Sequence, residues 1–385
     1  MTTTEPSRRT LLRLAGAGVV ILGGGAMAIN GLREELIPTT DNTPRVPPTS
    51  VPTPSDGSQR AVNYGMESIV PVWEPGALDS SGANAVSLAV GRPDWVAAPW
   101  PAHPDAEAAD VRENGIDYLA VALATIPTAW EITLTIDALA PRMLADTPEL
   151  AGVSPTGDRS TTFASVAALD GGAVGDRLVE LAQFIAATYG PDRIALTELM
   201  FDDATFGDTD LRHFLAHTGE VDWPRDKDGE IDAQAPVIAT WRSEALARVA
   251  ERIVAAVDPY AVKVDMDVRA PQGDPASDRA LSGHDYDLLL TVVDRIVVWN
   301  YPGLGGADGA VAFGGEVAAH LQERHPGRFV MSTGLWADDD AVLRSSELVD
   351  SLVAAQQGGA PAVSVTPASL LSDSHWAALR QLWVP

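Results

Sequence analysis

The stretch that decides the fold is Val262-Lys263-Val264-Asp265-Met266-Asp267-Val268. Its aliphatic residues alternate with charged ones, which is the period of a β-strand that has one apolar and one polar face. In a barrel of parallel strands, the aliphatic face lies under the surrounding helices and the other face points into the barrel. The alternation therefore predicts a barrel strand that carries Asp265 and Asp267 on its inward face.

Two further stretches show the same alternation. Thr133-Leu134-Thr135-Ile136-Asp137 predicts that Asp137 also points inward. In the predicted strand over 193–201, the alternation turns Thr197 inward. It leaves the direction of Glu198 open, unless the strand ends at Thr197 and the chain turns there.

From residue 62 onward, short apolar runs alternate with amphipathic helical runs, which is typical of a parallel sheet with crossover helices. Eight runs are predicted to be strands: Ser68–Trp73, Ala85–Val90, Glu131–Leu139, Arg193–Phe201, Ala261–Arg269, Arg295–Tyr301, Arg328–Leu335 and Ala362–Thr366. The predicted helices include Val174–Tyr189, Ser243–Val257, Gly315–Arg324 and Ser346–Gln357, while Ile116–Ile126 fits either a helix or a strand. Eight such units predict an α/β fold, a (β/α)8 TIM barrel with long loops, over residues 62–385.

The first 61 residues have a different character. Ser7-Arg8-Arg9-Thr10-Leu11-Leu12-Arg13 precedes an apolar run to Ile29, in which Ala26-Met27-Ala28 has the form of a cleavage site. Residues 1–29 resemble a twin-arginine signal, which implies export by the twin-arginine translocase to the cell envelope or beyond. The apolar run is long enough to cross a bilayer, so the segment is either cleaved or kept as a membrane anchor. Residues 30–61 are rich in Pro, Thr and Ser and predict an extended linker.

The composition excludes several classes of function. The chain has 53 Asp and Glu against 26 Lys and Arg, a net charge of −27, and no cysteine. Such an acidic protein repels phosphate backbones, and the sequence has no concentrated basic stripe, so we do not expect it to bind nucleic acid. Without cysteine there is no disulfide, no thiolate zinc site and no cysteine nucleophile.

Carboxylates gather at the predicted ends of three strands, which meet at one mouth of a parallel barrel. They are Asp137, Glu198, Asp202, Asp203, Asp265 and Asp267. Glycoside hydrolysis needs one protonated and one ionised carboxyl, and crowded carboxylates raise the pKa of one of them. Two inward residues on one strand lie about 6.6 Å apart, and we expect the deeper Asp265 to be the protonated one.

Aromatic residues also fall at predicted strand ends or in the loops beyond them, where flat apolar faces suit the stacking of sugar rings. They are Trp223, Trp241, Trp299, Tyr301 and Trp336, in a chain that has 10 Trp. We predict that these five residues bind substrate at the same mouth as the carboxylates.

The motifs that carry a family resemblance are residues 131–139, 195–203, 222–225, 241–243, 264–269 and 299–301. In this order they resemble glycoside-hydrolase-like TIM barrels of exported bacterial proteins. They are similar to the hydrolase domain of exopolysaccharide-processing proteins, in which a strand ending in paired Asp precedes a Trp-Arg helix start. The resemblance spans about Ala85 to Trp383.

The resemblance implies a polysaccharide substrate and no cofactor. It makes Asp202, Asp203, Asp265 and Asp267 the stronger catalytic candidates. It also adds three polar residues to the predicted substrate-binding set: Arg225, Arg242 and Asn300.

One histidine pair indicates a different class of enzyme. His213 and His217 stand at i and i+4 of a predicted helix, a spacing able to hold a metal, as in a metal-dependent polysaccharide deacetylase. The helix lacks the Glu of the HExxH signature, and Phe214 stands where the deacetylase pattern has Ser or Thr. We therefore predict an exported glycoside hydrolase without a metal. A deacetylase and a non-catalytic carbohydrate-binding barrel are the alternatives.

Overall fold

The computed structural model describes residues 58–201, 204–304 and 310–384. The strands in these segments are β1 (Gln59–Tyr64), β2 (Ala85–Arg92), β3 (Trp95–Val96), β4 (Glu131–Asp137), β5 (Ala151–Val153), β6 (Arg159–Ala164), β7 (Arg193–Thr197), β8 (Lys263–Arg269), β9 (Arg295–Asn300), β10 (Phe329–Gly334) and β11 (Ala362–Thr366). Eight of them form a closed parallel barrel in the order β1, β2, β4, β7, β8, β9, β10, β11, and β11 pairs with β1. The predicted (β/α)8 barrel is confirmed.

Helices alternate with these strands along the chain. In the described segments they are α1 (Ala109–Asn114), α2 (Tyr118–Leu123), α3 (Pro141–Asp146), α4 (Val166–Leu169), α5 (Ala173–Tyr189), α6 (Asp208–Thr218), α7 (Pro236–Val257), α8 (Tyr286–Leu289), α9 (Ala310–Arg324), α10 (Ser345–Gln357) and α11 (Asp373–Trp383). Short 3-10 turns lie at Met66–Ser68, Leu78–Ser80, Pro148–Leu150, Asp258–Tyr260, Ala280–Ser282, Asp338–Asp340 and Ala368–Leu370. No helix in the described segments is both long and apolar enough to cross a bilayer.

The two faces of the barrel strands differ as the alternation predicts. On β8, Val264, Met266 and Val268 are buried in the main hydrophobic core, which the helices also line. The other face is polar: the hydroxyls of Ser87 on β2 and Thr135 on β4 are hydrogen-bonded at 2.7 Å. Polar side chains of this face therefore line part of the barrel interior, and Val297, Val330 and Ala362 form a small apolar cluster separate from the main core.

An insertion between β4 and α4 borders this mouth. It holds the antiparallel pair β5 and β6, and it packs on the loop that follows β7. Phe206 N donates to Val153 O at 2.8 Å, and a Cβ on Gly152 would come within 2.1 Å of Ala204 O. Only glycine at 152 allows this approach, so the insertion and the loop after β7 are held together.

The first barrel strand was predicted in the wrong place. Ser68–Trp73 begins at the last residue of the 3-10 turn Met66–Ser68, includes Pro71 and forms no strand, whereas β1 begins at Gln59, inside the predicted linker. The polar side chains of Gln59, Arg60 and Asn63 hid its alternation.

The structure decides between helix and strand for one predicted element and lengthens another. The stretch Ile116–Ile126 contains helix α2, whose first turn is capped because Ala120 N donates to Asp117 Oδ1 at 2.8 Å. Helix α7 begins at Pro236, seven residues before the predicted start at Ser243. The predicted signal and most of the predicted linker lie outside the described residues.

Candidate active site

Three adjacent strands bring polar side chains to one level of the barrel. Asp137 at the end of β4 is in register with Thr197 at the end of β7. On the other side of β7, Ala195 is in register with Asp265, which places Asp267 beside Thr197 two residues later. The two predicted aspartates, Asp137 and Asp267, therefore flank Thr197 at the mouth.

The carboxyl of Asp267 receives hydrogen bonds from both neighbouring strands. Thr197 hydrogen-bonds it from β7, and Trp299 Nε1 donates to Oδ2 at 3.1 Å from β9. Burial raises the pKa of Asp267 to about 7, the charge of Asp265 adds to the rise, and the two hydrogen bonds oppose it. Asp267 is thus an acid that can hold a proton at neutral pH.

Asp137 has a similar acidity for a similar reason. Burial raises its pKa to about 7, and the charges of Asp94 and Asp267 add to the rise. A hydrogen bond from Leu139 N to Oδ1, at 2.7 Å, and the charge of Arg92 oppose it. Because the charges of Asp137 and Asp267 interact, their protons are lost as those of a coupled pair.

Glu198 joins this site through a turn in the backbone. Strand β7 ends at Thr197, and Glu198 has a φ of 54°, in the left-handed region that costs a non-glycine residue about 1 to 2 kcal/mol. Burial, followed by the charges of Glu198 and Asp267, raises the pKa of Tyr301 well above its usual value. Tyr301 thus lies close to both carboxylates, and the direction of Glu198 that the sequence left open is toward the mouth.

An aromatic wall, made of Trp299, Tyr301 and Trp336, stands beside the carboxylates. The rings of Trp299 and Tyr301 are stacked, with centroids 6.0 Å apart and planes 12° apart, and Trp336 lies 5.3 Å from Tyr301. All three side chains are partly exposed. Gly334 makes room for this wall, because a Cβ there would lie 2.3 Å from Tyr301 Cδ1.

Asp265 points inward as predicted, but it lies at the floor of the barrel and not at the mouth. Its side chain is 1% exposed, Arg193 Nε donates to Oδ1 and Oδ2 at 2.9 and 2.8 Å, and Arg295 Nε donates to Oδ2 at 2.7 Å. Burial alone would raise its pKa, but the charges and hydrogen bonds of Arg295 and Arg193 outweigh burial and hold the pKa below its usual range. The prediction that Asp265 carries the proton is wrong, and Asp267 takes that place.

Comparison with solved structures supports this architecture. The glycoside hydrolase domain of PgaB (BpsB) from Bordetella bronchiseptica aligns over 85% of this chain and 99% of its own, with a TM-score of 0.63 and 15% identity. The two chains share the fold of a parallel (β/α)8 barrel. The predicted resemblance is therefore confirmed at the level of the fold.

Two other barrels of known structure align less closely. A β-galactosidase from the psychrophilic Marinomonas ef1 aligns over 84% of this chain and 59% of its own, with a TM-score of 0.58 and 11% identity. A family GH18 chitinase from Cycas revoluta, solved with allosamidin, aligns over 85% and 100%, with a TM-score of 0.51 and 9% identity. No protein-family model matches the sequence, and no curated protein sequence matches it.

Several residues predicted to bind substrate lie elsewhere in the barrel. Trp241 on α7 is 0% exposed, and Trp223 is buried against the rings of Phe206, Phe214 and Trp241. Asn300 is buried on the helix side of β9, where its Nδ2 donates to Ser351 Oγ at 3.0 Å. Burial excludes direct contact of Trp223, Trp241 and Asn300 with a sugar in this structure, so we do not retain them as substrate-binding residues.

Arg242 is also buried, and its hydrogen bonds hold two loops beside the mouth. Its Nε and Nη2 donate to Thr205 Oγ1 at 3.1 and 2.6 Å, and its Nη1 donates to Leu281 O at 2.5 Å. The loop after β7 and the turn after β8 are thereby tied to α7. Arg225, in contrast, is an exposed residue paired with Asp222 at 3.2 Å.

Asp202 and Asp203 lie outside the described residues. The residue before them, Phe201, is anchored because its N–H donates to Ser282 O at 2.9 Å, and Thr205 after them is held by Arg242. Their catalytic role stays a prediction from the resemblance.

The predicted histidine pair lies in the helical layer. One ligand atom each of Asp170, His213 and His217 lies within 4.8 Å of the others. Trp241 Nε1, which can only donate, lies 2.9 Å from His213 Nδ1, so the proton of the neutral ring is on Nε2, 3.0 Å from Asp170 Oδ2. A metal on Nε2 would have to displace that proton, and Arg248 also binds Asp170, at 2.7 Å. These contacts argue against the deacetylase alternative.

Several residues that shape the mouth were not predicted to belong to the site. Thr197 was predicted to point inward, yet its hydroxyl carries no signature that links it to Asp267. Arg92, at the end of β2, is paired with Asp94 at 2.9 Å. The charge of Arg92 lowers the pKa of Asp137 and the charge of Asp94 raises it, and only the fold brings these residues close to Asp137. The closeness of Gly334 to Tyr301 likewise has no signal in the sequence.

Proposed function

We propose that this protein is a glycoside hydrolase that acts on a bacterial polysaccharide. One observation carries the proposal: Asp137, Glu198 and Asp267 converge from three adjacent strands at the barrel mouth, beside the aromatic wall. The carboxyl-terminal mouth is where barrel enzymes place their catalytic residues. The hydrolase barrels described above support the proposal at the level of the fold.

The proposed chemistry uses two carboxyl groups in different protonation states. Asp267, with a pKa of about 7, donates its proton to the glycosidic oxygen as the bond between that oxygen and the anomeric carbon breaks. The proposed partner is Glu198, which in its carboxylate form would either attack the anomeric carbon or remove a proton from the attacking water. The products are one sugar with a free alcohol and one with a new reducing end.

The substrate is proposed from the wall and from the neighbours. The stacked faces of Trp299 and Tyr301 offer apolar surface against which sugar rings pack. The solved neighbours are, by their own names, a glycoside hydrolase domain, a β-galactosidase and a chitinase. They share with this chain a fold that hosts carbohydrate hydrolysis. These two features support a bacterial polysaccharide as the proposed substrate.

The experiment is an assay of purified protein against a panel of bacterial wall and capsular polysaccharides, with reducing ends measured over time. We expect release from at least one polymer by the wild type, and a loss of at least a hundredfold in Asp267→Asn and Glu198→Gln. Asp287→Asn is the matched control, because it removes one carboxylate from the exposed Asp287–Arg324 pair outside the barrel. No release from any polymer, or full activity in both site variants, contradicts the proposal.

The same assay tests the remaining sequence predictions. Asp202→Asn and Asp203→Asn show whether the loop after β7 supplies a catalytic carboxyl, as the resemblance implies. Release of acetate that is lost on addition of a chelator, without new reducing ends, favours the deacetylase alternative instead.

We further propose that the protein is exported by the twin-arginine pathway. The support is the sequence Ser7-Arg8-Arg9 ahead of the apolar run that ends at Ile29. Changing both Arg8 and Arg9 to Lys is expected to retain the protein inside the cytoplasmic membrane, as measured by cell fractionation. Unchanged export of the double variant contradicts this proposal.

A further inference from the structure

The carboxyl of Asp267 is held by side chains on both sides. Thr197 hydrogen-bonds it from β7, and Trp299 donates from Nε1 to Oδ2 at 3.1 Å from β9. An indole N–H can donate a hydrogen bond but cannot accept one. The oxygen that faces Trp299 must therefore act as an acceptor in every protonation state of Asp267.

This contact distinguishes the two oxygens of the protonated acid. A protonated carboxyl has one hydroxyl oxygen, and its other oxygen is the better acceptor. Because Trp299 occupies Oδ2, the hydroxyl proton is left to Oδ1. We propose that Trp299 is a positioning residue that keeps the acidic proton of Asp267 on Oδ1, an inference that rests on the proposed role of Asp267 as the acid.

The indole is itself held in place. Its ring is stacked on Tyr301, with planes 12° apart, and Tyr301 is seated over Gly334. Rotating the indole away from Asp267 would break this stack. The aromatic wall can therefore do more than offer apolar surface to a sugar. It also orients the Trp299 N–H toward Asp267 Oδ2.

The groups around Asp267 fix the direction of the expected effect. Asp265 lies below it on β8 and disfavours its ionised form, and Asp137 interacts with it from β4. Tyr301, the residue after β9, lies near it with a pKa raised well above its usual value, so its hydroxyl is neutral. Trp299 and Thr197 are the hydrogen-bonding partners that favour the ionised form. Removing the indole N–H must then make the proton harder to remove.

The test is a pH titration of the aspartate carboxyl carbons by NMR, in protein labelled with 13C at those positions. Asp267→Asn identifies the signal by its loss. In Trp299→Phe, which keeps an aromatic ring but lacks the N–H, we expect the titration midpoint of Asp267 to rise by about one pH unit. Trp336→Phe is the matched control, since it removes an indole from the same wall and leaves the Trp299–Asp267 hydrogen bond in place. Equal midpoints in wild type and Trp299→Phe, or an equal rise in both variants, overturns the proposal.

Kinetics give a second readout once a substrate is known. Trp299→Phe is expected to lower kcat about tenfold and to move the alkaline limb of the pH profile upward, whereas Trp336→Phe is expected to change mainly KM. The titration needs no substrate, so the two proposals can fail separately. A shifted midpoint without any cleavage rejects the hydrolase, and cleavage with an unshifted midpoint rejects the role of Trp299.

If Trp299→Phe does not fold, the wild type supplies the same test. One indole 15N–1H signal should titrate with the midpoint of Asp267 and should stop titrating in Asp267→Asn. An Asp267 signal that titrates while every indole signal stays constant overturns the proposal.

Discussion

Arg193 and Asp265 lie on neighbouring strands at the floor of the barrel, where the guanidinium donates hydrogen bonds to both carboxylate oxygens. Arg295 on the next strand binds the same carboxylate, and it also contacts Glu131 at 2.9 Å and Gln59 at 2.7 Å. The buried carboxylate of Asp265 thus pairs with two arginines, from β7 and β9, and Glu131 pairs with the second of them. This network joins five barrel strands below the mouth: β1, β4, β7, β8 and β9.

Removing the carboxylate of Asp265 is expected to destabilise the fold. Asp265→Asn leaves Arg193 and Arg295 buried with less negative charge, and breaking a buried pair in this way costs about 3 to 5 kcal/mol. Urea unfolding at pH 7 measures the loss. The exposed pair variant Asp287→Asn is the control and should lose less than about 1 kcal/mol. Equal stability of the two variants contradicts a structural role for Asp265.

The neighbouring variant Asp267→Asn is expected to behave in the opposite way. The raised pKa of Asp267 shows that its ionised form is disfavoured in the folded protein, so the neutral amide should leave the thermal midpoint unchanged or raise it. Turnover should fall by a hundredfold or more, because the proton donor is lost. Calorimetry and the reducing-end assay give the two values. A parallel fall of stability and activity is the outcome that contradicts this separation.

The activity is expected to fall as the pH rises through about 7. Asp267 must be protonated to act as the acid, and it and Asp137 lose their protons near that pH. The value of kcat/KM should therefore be high below the midpoint and fall about tenfold per pH unit above it. A profile that stays flat from pH 6 to 9 contradicts the assignment of Asp267 as the acid.

Asp210 makes the free energy of unfolding depend on pH, and it lies outside the proposed catalytic site. It is 0% exposed at the start of α6, its Oδ1 accepts a hydrogen bond from Ala167 N at 3.1 Å, and burial raises its pKa to about 7. Between pH 4 and 7 the folded protein keeps a proton that the unfolded chain has lost. This group therefore contributes stability at low pH that is lost as the pH rises to 7.

Asp210→Asn removes that titration and should remain neutral at every pH. We expect its free energy of unfolding, relative to wild type, to increase by about 1 to 4 kcal/mol between pH 4 and pH 8. Urea unfolding at a series of pH values measures the difference. A difference that is constant with pH shows that Asp210 is not protonated in the folded protein.

Strand alternation predicted much of the fold and part of the site. On β8, the contrast between Met266 and its charged neighbours was sufficient to assign the inward face, because helices cover every strand of such a barrel. The same method failed for β1, where Gln59 and Arg60 are polar although the strand lies in the barrel. The alternation of apolar and polar residues shows which face of a strand is buried in the core. The pattern disappears where both faces of the strand carry polar side chains.

The site was harder to predict, because alternation shows whether a side chain points into the barrel but not whether it lies at the floor or at the mouth. Asp265 and Asp267 share a face, yet one is neutralised by two arginines and the other is held by a hydroxyl and an indole. Arg193 and Arg295 are far from Asp265 in sequence, so only the register of the strands reveals the pairing. For the same reason, Trp241 was taken for a mouth residue although it lies in the helical layer, bonded to His213.

The pairing of β1 with β11 sets the order in which the molecule can be completed during synthesis. Residues 59–62 are in register with 362–365, so the barrel stays open until residues 362–365 have left the ribosome. Until then β1 and β10 each present a free edge, which invites pairing with other chains. A nascent chain of this protein is thus exposed to aggregation for longer than one whose strands pair only with sequence neighbours. A chain truncated before residue 362 lacks β11, so its barrel cannot close between β1 and β10.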